Sequence, residues 1–225
     1  APEEILDREG ADALRLAHLF VGPPSDDVDW EAVGIEGCAR FLARVWRLAE
    51  GEVTGAVVDR DEAPADVEVD KAVHRTIAKV TDDFERWSYN TAVAACMELT
   101  NDLYRYVQSV EGARRATLDG AIDTLLLLLA PMAPHLAAEQ WERRRGGHVH
   151  TEAWPTADPA KLTVDTVTMV VQVNGKVRDR IDVDAGIDAA EAERIALASE
   201  KVAVHLTGAP KKVIARPPKL VNIVA

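Results

Sequence analysis

The sequence predicts a multi-domain chain: an all-α helical bundle followed by a small α+β domain with an antiparallel, hairpin-based sheet. Three observations predict it. Apolar residues recur at helical spacing through most of residues 3–145. Past residue 162 that period gives way to alternation, with Pro159 in the stretch between. Asn174-Gly175 then lies between two apolar runs, the strongest short-range hairpin signal a sequence offers. The expected divisions are a leading helix within 1–24, a bundle over 25–155, a linker over 156–163 and the α+β domain over 164–225.

Residues 3–20 read as one amphipathic helix carrying Ile5, Leu6, Ala13, Leu16, Leu19 and Phe20; Gly22-Pro23-Pro24 stops it, and Ser25-Asp26-Asp27 makes a polar loop. In a second helix over 35–49, Cys38, Phe41, Leu42, Val45 and Leu48 share one face, and Arg40, Arg44 and Arg47 share another. That basic stripe is either a solvated face or a row laid along phosphates, which guanidinium groups suit. Residues 50–65 are a loop of Gly, Asp and Pro. The third helix is predicted from Asp66 to Trp87, with Val69, Val73, Ile77, Val80 and Phe84 buried, Lys71, Arg75 and Lys79 in a neighbouring row, and His74 at the boundary. Asn90 is expected to cap a fourth helix reaching Val110, and a fifth runs from Glu111 to Leu129. Leu125 to Leu129 is apolar all round and belongs at the centre of the bundle. Pro131 and Pro134 break the chain before a last helix, His135 to Arg145, and Trp154 is expected to tuck against the bundle.

In the α+β domain, a two-residue Asn174-Gly175 turn would place Val171 and Val173 on one face with Lys176, Arg178 and Arg180. A three-residue loop, Val173 to Gly175 with Gly175 left-handed in a bulge, repairs the pattern. Met169, Val171, Val177, Ile181 and Val183 then face the core with only Asp179 out of place, and Thr168, Gln172, Lys176, Arg178 and Arg180 face outward. A helix over 187–199, a shorter one to Leu206, and strands over 212–215 and 220–224 complete the domain; Pro217-Pro218 between those strands requires an edge or loop position.

The formal net charge of the 225 residues is −12, which argues against indiscriminate nucleic-acid binding. The charge is uneven, however. Residues 164–225 hold nine Lys/Arg and eight Asp/Glu, leaving the first 163 residues at −13, and from Lys201 onward there are five cations and no acid. An anionic partner should therefore prefer the C-terminal end. Two cysteines, Cys38 and Cys96, are too few for a disulfide framework and lack metal-ligand spacing. No apolar run approaches the roughly 20 residues needed to span a bilayer, and the acidic start is no signal peptide, so a cytoplasmic protein is expected. No catalytic constellation stands out. Gly34-x-x-Gly37 follows no strand, His148-x-His150 lacks further ligands, and neither a catalytic residue, a metal site nor a cofactor of its own is expected.

The motifs VVQVNGKVR and KKVIARPPKLVNIV, with GADALRL, GIEGCARFLARVWRL and HRTIAKVTDDFERWSYNTAVAACMEL upstream in the same order, resemble the end of bacterial leucyl-tRNA synthetases of class I. The resemblance covers nearly the whole chain. It implies an anticodon-binding-type bundle and a C-terminal tRNA-binding domain of a leucine–tRNA ligase, with residues 1–24 continuing from a catalytic domain. It further implies leucine tRNA as partner, contacted at its outer corner, and monomeric, membrane-free action alongside catalytic and editing domains of the same chain. ATP with Mg belongs to those domains. Asn174, Gly175, Lys176 and Arg178 match the V-N-G-K-V-R motif, and Lys212, Pro217, Lys219, Leu220 and Asn222 match the terminal strand pair, to which Lys211 and Arg216 are added. The cations would meet phosphate and sugar, while Gln172 and Asn174 could reach a base or 2′-hydroxyl; Arg180 adds a third cation to the hairpin face. The bundle rows Arg40, Arg44, Arg47 and Lys71, Arg75, Lys79 are candidates for tRNA backbone contact. Two other readings are an acidic protein-docking module and the equivalent tail of an isoleucyl or valyl enzyme.

Overall fold

A computed structural model describes residues 2–22, 34–162, 166–206, 208 and 210–224, in two compact units, Ala1–Leu162 and Thr163–Ala225. The expected stop at Pro23-Pro24 and the loop at Ser25–Asp27 lie outside the described residues.

The larger unit is helical. The single leading helix expected over 3–20 is two helices, α1 (Pro2–Glu9) and α2 (Ala11–Phe20). Gly10 separates them: at φ +83° it donates to the Leu6 carbonyl (3.0 Å) and ends α1, as a left-handed glycine commonly does. In α3 (Ile35–Ala49) the apolar face is buried as its periodicity requires, from Cys38 to Leu48. α4 (Pro64–Glu85) begins two residues before the expected Asp66, because Pro64 fixes a helical φ in the first turn and Asp66 accepts the backbone N–H of Ala63 (2.7 Å). α5 (Tyr89–Val107) follows Ser88, so Asn90 sits inside the first turn rather than capping it, and the helix stops short of Val110.

The expected start of the next helix at Glu111 is likewise corrected. Gly112 turns at φ +73°, and Ala113–Arg114 forms β2, paired in parallel with β1 (Val57–Val58) inside what reads as a loop. Only then does α6 (Arg115–Leu129) begin, and Leu125, Leu126, Leu128 and Leu129 are wholly buried. The β1–β2 pair is held by one buried carboxylate. Asp66 takes both terminal nitrogens of Arg60 (2.5 and 2.9 Å) and the Tyr106 hydroxyl, while Arg60 also reaches the Gly112 carbonyl (3.2 Å). Arg60 foremost holds the Asp66 carboxyl at about 2, against an ordinary 3.8.

α7 (Pro134–Arg145) has Ala133 at its cap position and no capping side chain of its own. Asp12 of α2 supplies one, accepting from the backbone N–H of Leu136 (2.7 Å) and of His135 (3.3 Å). Trp154 closes the unit less completely than expected: its indole N–H donates to the Thr81 hydroxyl (2.9 Å), yet it stays 38% exposed.

The smaller unit is a four-stranded sheet backed by two helices. β3 (Thr166–Val173), β4 (Lys176–Asp184), β5 (Lys212–Arg216) and β6 (Leu220–Val224) lie in the order β4-β3-β6-β5; β3 and β6 are parallel and the other pairs antiparallel. A turn through cis Pro217-Pro218 joins β5 to β6. α8 (Ala189–Ala198) and α9 (Glu200–Ala203) bury Ala192, Ala196 and Val202 with Met169, Val171, Val173, Val221 and Ile223.

The hairpin departs from the three-residue loop. Asn174 (φ +49°) and Gly175 (φ +76°) make a two-residue turn of the I′ kind, and Val173 pairs with Lys176. The change of parity occurs further along: Val171 faces Asp179 and Gln172 faces Val177, leaving Arg178 as the bulged residue. A bulge on β4 restores the burial of Ile181 and Val183 and lets the tight turn keep the twist its Asn-Gly pair favours. The cost falls on Val177, which was expected in the core and is 46% exposed.

Candidate nucleic-acid interface

The registers fix which side chains share the sheet face turned away from α8 and α9. Residues directly opposite one another across a ladder project to the same side. One row therefore runs Arg180, Val170, Leu220, Arg216 across all four strands. The next runs Val177, Gln172, Asn222, Ile214, and Lys212 lies beyond it opposite Val224. Val170, Gln172, Leu220, Asn222 and Val224 are half-buried, Ile214 is 37% exposed, and Arg180, Arg216 and Lys212 are exposed. The two arginines sit on the outer strands, three strand spacings or about 14 Å apart. Two carboxylates share the face: Asp182, which accepts from the Thr168 hydroxyl (2.6 Å), and Asp184 at the end of β4, which accepts from the Gly186 N–H (2.7 Å).

This redistributes the cations expected on one hairpin face. Arg180 keeps that face. Lys176, paired with Val173, belongs by register to the helix side at the tip, and Arg178 lies in the bulge with its Nε buried and without a hydrogen-bond partner among the described residues. Asn222, a candidate for base contact, has a structural duty: its Oδ1 accepts from the Gly175 N–H (3.2 Å), while the Asn174 N–H donates to the Ile223 carbonyl (2.9 Å). Together they fasten the hairpin tip to β6. Lys219 lies in the β5–β6 turn and Lys211 just before β5, where its N–H donates to the Val224 carbonyl (2.8 Å). Asp179, the acid that seemed out of place, points to the helix side and accepts from the Ser199 hydroxyl (2.6 Å) and from Lys201 (3.2 Å). The Ser199 bond leads in holding its carboxyl below the usual carboxylate range.

The helical rows are less available than their spacing implies. Lys79 is tied to Asp83 (2.5 Å) and Lys71 to Glu68 (3.3 Å), which leaves Arg75 as the exposed member of that row without an ion pair among the described residues. On α3, Arg44 lies over the Tyr104 ring (4.6 Å), Arg40 faces Glu36 at 3.8 Å, and Arg47 is exposed. Arg143, Arg144 and Arg145 are all engaged by carboxylates of the unit. His74 accepts from the Asp158 N–H (3.0 Å) and anchors the segment leading out of the bundle. Among the described residues no group of three or more His, Cys, Asp or Glu is placed to hold a metal ion, and no helix is long and apolar enough to cross a membrane.

The outer-face residues missed in the sequence are Val170, Val177 and Ile214, which with Leu220 give the cations an apolar floor. For Val177 the signal was the Asn-Gly turn itself, which dictates a register that the hydrophobic pattern alone does not.

The chain is 41% identical over 234 residues to a leucine–tRNA ligase of Synechococcus sp. (strain RCC307), covering 99% of this chain and 27% of that protein. It is 46% identical over 229 residues to that of Nocardia farcinica (strain IFM 10152), covering 100% of this chain and 23% of that protein. The chain thus spans about a quarter of the length of the curated relatives it matches. The structure resembles, across its full length, 30% of the chain in a crystal structure of the Agrobacterium radiobacter K84 agnB2 LeuRS-tRNA-LeuAMS ternary complex, with TM-score 0.77 and 29% identity. A free-state Mycobacterium tuberculosis methionyl-tRNA synthetase shares the fold over 63% of this chain and 34% of its own, with TM-score 0.50 and 16% identity. Residues 66–194 match the family described as anticodon-binding domain of tRNA ligase, running from α4 into α8. With more than half of its length inside that match, the chain belongs to the anticodon-binding-domain family of tRNA ligases.

Proposed function

We propose that this chain is the C-terminal, tRNA-binding part of a leucine–tRNA ligase, and that the open face of the β4-β3-β6-β5 sheet lies on leucine tRNA. In this role it positions the tRNA for ATP-dependent aminoacylation and editing by other domains of the same protein, acting as a cytoplasmic monomer. ATP and Mg belong to those domains. The observation that carries the reading is the row Arg180–Val170–Leu220–Arg216, two exposed guanidinium groups about 14 Å apart across a half-buried apolar floor. Cations so spaced suit non-adjacent phosphates of one strand, and an apolar floor between them suits ribose and base faces.

Residue roles follow from placement. Arg180, Arg216 and Lys212 meet phosphates; Gln172, half-buried between them, offers an amide to a 2′-hydroxyl or base edge. Lys176, Arg178, Lys211 and Lys219 lie at the rim, and Asn174 and Asn222 hold the tip in place. On the bundle, Arg47 and Arg75 remain the candidates for backbone contact, with Arg40, whose partner Glu36 is itself exposed; the others of those rows are engaged within the unit. Two features oppose indiscriminate binding: the −13 charge of the first 163 residues and the two acids, Asp182 and Asp184, on the sheet face.

The test is a titration of the chain with leucine tRNA and an unrelated tRNA over a range of salt, for wild type and Arg180→Ala/Arg216→Ala. The expected result is preference for leucine tRNA and, in the variant, a slope of log affinity against log salt shallower by about 2, one per lost phosphate contact. Equal slopes in wild type and variant would remove the sheet face from the RNA interface.

A further inference from the structure

At the C-terminal end of α4, far from the sheet face in sequence, several local rules of helix construction are broken together. The residue after the C-cap of a helix usually takes the left-handed conformation as glycine. Here it is Trp87, at φ +60° and 65% exposed. The last turn of a helix favours cations, because the carbonyl end of the dipole is negative. In α4 it carries Asp82, Asp83 and Glu85 and no basic residue. Asp83 is spent on Lys79 and Asp82 on Arg86 (2.9 Å), whereas Glu85 is exposed with no ion pair among the described residues. Departures of this kind that the fold does not need are concentrated at functional sites.

The rings at this end form one continuous row. Trp87 meets Tyr89 at 6.0 Å, Tyr89 meets Phe84 edge-on at 5.2 Å, and Phe84 meets the half-open Trp154 at 5.7 Å. Glu85 and Glu152, both exposed and without an ion pair among the described residues, each lie two residues before a ring at one end of the row, Trp87 and Trp154. Aromatic faces bordered by carboxylates attract guanidinium and ammonium groups by cation–π and ionic contact together. The same carboxylates repel a phosphate backbone.

We infer that the Trp87–Tyr89–Phe84–Trp154 row is a docking site for an arginine-bearing segment of a protein partner. The occupant is chosen by charge: a basic peptide gains from Glu85 and Glu152, and a planar guanidinium can lie flat on an indole. This does not depend on the RNA reading of the sheet, and the face concerned belongs wholly to the helical unit.

The experiment records indole N–H signals by NMR while the whole chain is titrated with a hexaarginine peptide, and separately with an oligoadenylate of matching length. The expected result is that the peptide moves the Trp87 and Trp154 signals while Trp46 and Trp141 stay in place, and that Glu85→Gln/Glu152→Gln weakens this at least tenfold. Trp87→Gly supplies the control for folding: glycine suits the left-handed position, so the variant should melt no lower than wild type while losing the response at Trp154. Three results would overturn the inference. They are a Trp154 response unchanged in Trp87→Gly, peptide shifts spread equally over all the indoles, and movement of Trp87 with the oligoadenylate but not the peptide, which would make the row a stacking surface for bases.

Discussion

The two units solve the same problem with different materials. In the helical unit, six polar side chains are buried among the described residues: Asp12, Asp66, Thr76, Asp83, Thr100 and Gln140. In the sheet unit the buried side chains are apolar throughout, from Met169 to Ile223. The difference follows from connections. A ladder with tight turns satisfies its own backbone groups, and the sheet turns most of its polar side chains to the surface, Asp179 on the helix side being an exception. The helical unit has a long segment between α3 and α4 and proline-broken corners, where backbone groups need partners from elsewhere; Asp66, Arg60 and Asp12 provide them. A buried charge of this kind is stable only while its partner remains.

The largest expected effect tests that dependence. Replacing the buried Asp66 by Asn takes the counter-charge from the half-buried Arg60 and should cost about 3 kcal/mol. In a unit of this size that lowers the melting temperature by roughly 10 °C, measurable by circular dichroism. Sheet-unit amide shifts should stay in place; an equal loss in both units would break the comparison.

A second, smaller effect comes from acid. Because the folded state holds the Asp66 carboxyl at about 2 against an ordinary 3.8, the stability it contributes is fully present above the ordinary value and is lost as protons bind. Unfolding experiments between about pH 5 and pH 2 should show a decline on the order of 2 kcal/mol from this group, absent in Asp66→Asn. A pH profile identical in the two proteins would put the acid sensitivity elsewhere.

The smallest effect belongs to the sheet unit, where a single hydroxyl does two tasks. Ser199 caps α9 through the Val202 N–H (3.3 Å) and donates to Asp179. Ser199→Ala should cost about 1 kcal/mol. It should also let the Asp179 carboxyl titrate higher, toward the ordinary range, as read from its carboxyl carbon shift. A loss as large as that of Asp66→Asn would show that this unit, too, hangs on a polar tie.

How much of this could be read beforehand depends on the range of the interaction. The faces of α3 and α4 were legible because 3.6-residue spacing is a local property, and the basic C-terminal end was legible by counting charge. The break at Gly10 was not, since one glycine inside a periodic pattern does not announce a left-handed φ. The β1–β2 pair was invisible: its two-residue strands exist because Arg60 and Asp66 fix a long loop against Gly112. In the hairpin, hydrophobic pattern and turn chemistry pointed to different registers, and a bulge at Arg178 satisfied both. Among the candidate contacts, Arg180, Arg216 and Lys212 keep a shared open face, while Lys176 and Arg178 do not. The pairing of Lys79 with Asp83 and of Lys71 with Glu68 was already written in their spacing, four and three residues apart.

The Asp12 carboxylate that caps α7 sets an order of events in time. Asp12 and His135 are 123 residues apart in the chain. At roughly 5–20 residues per second of synthesis, the cap leaves the ribosome about 6–25 s before the helix it serves. During that interval α2 carries an acid with no amide to receive it, and the last helix of the bundle, once made, finds its first turn already provided for.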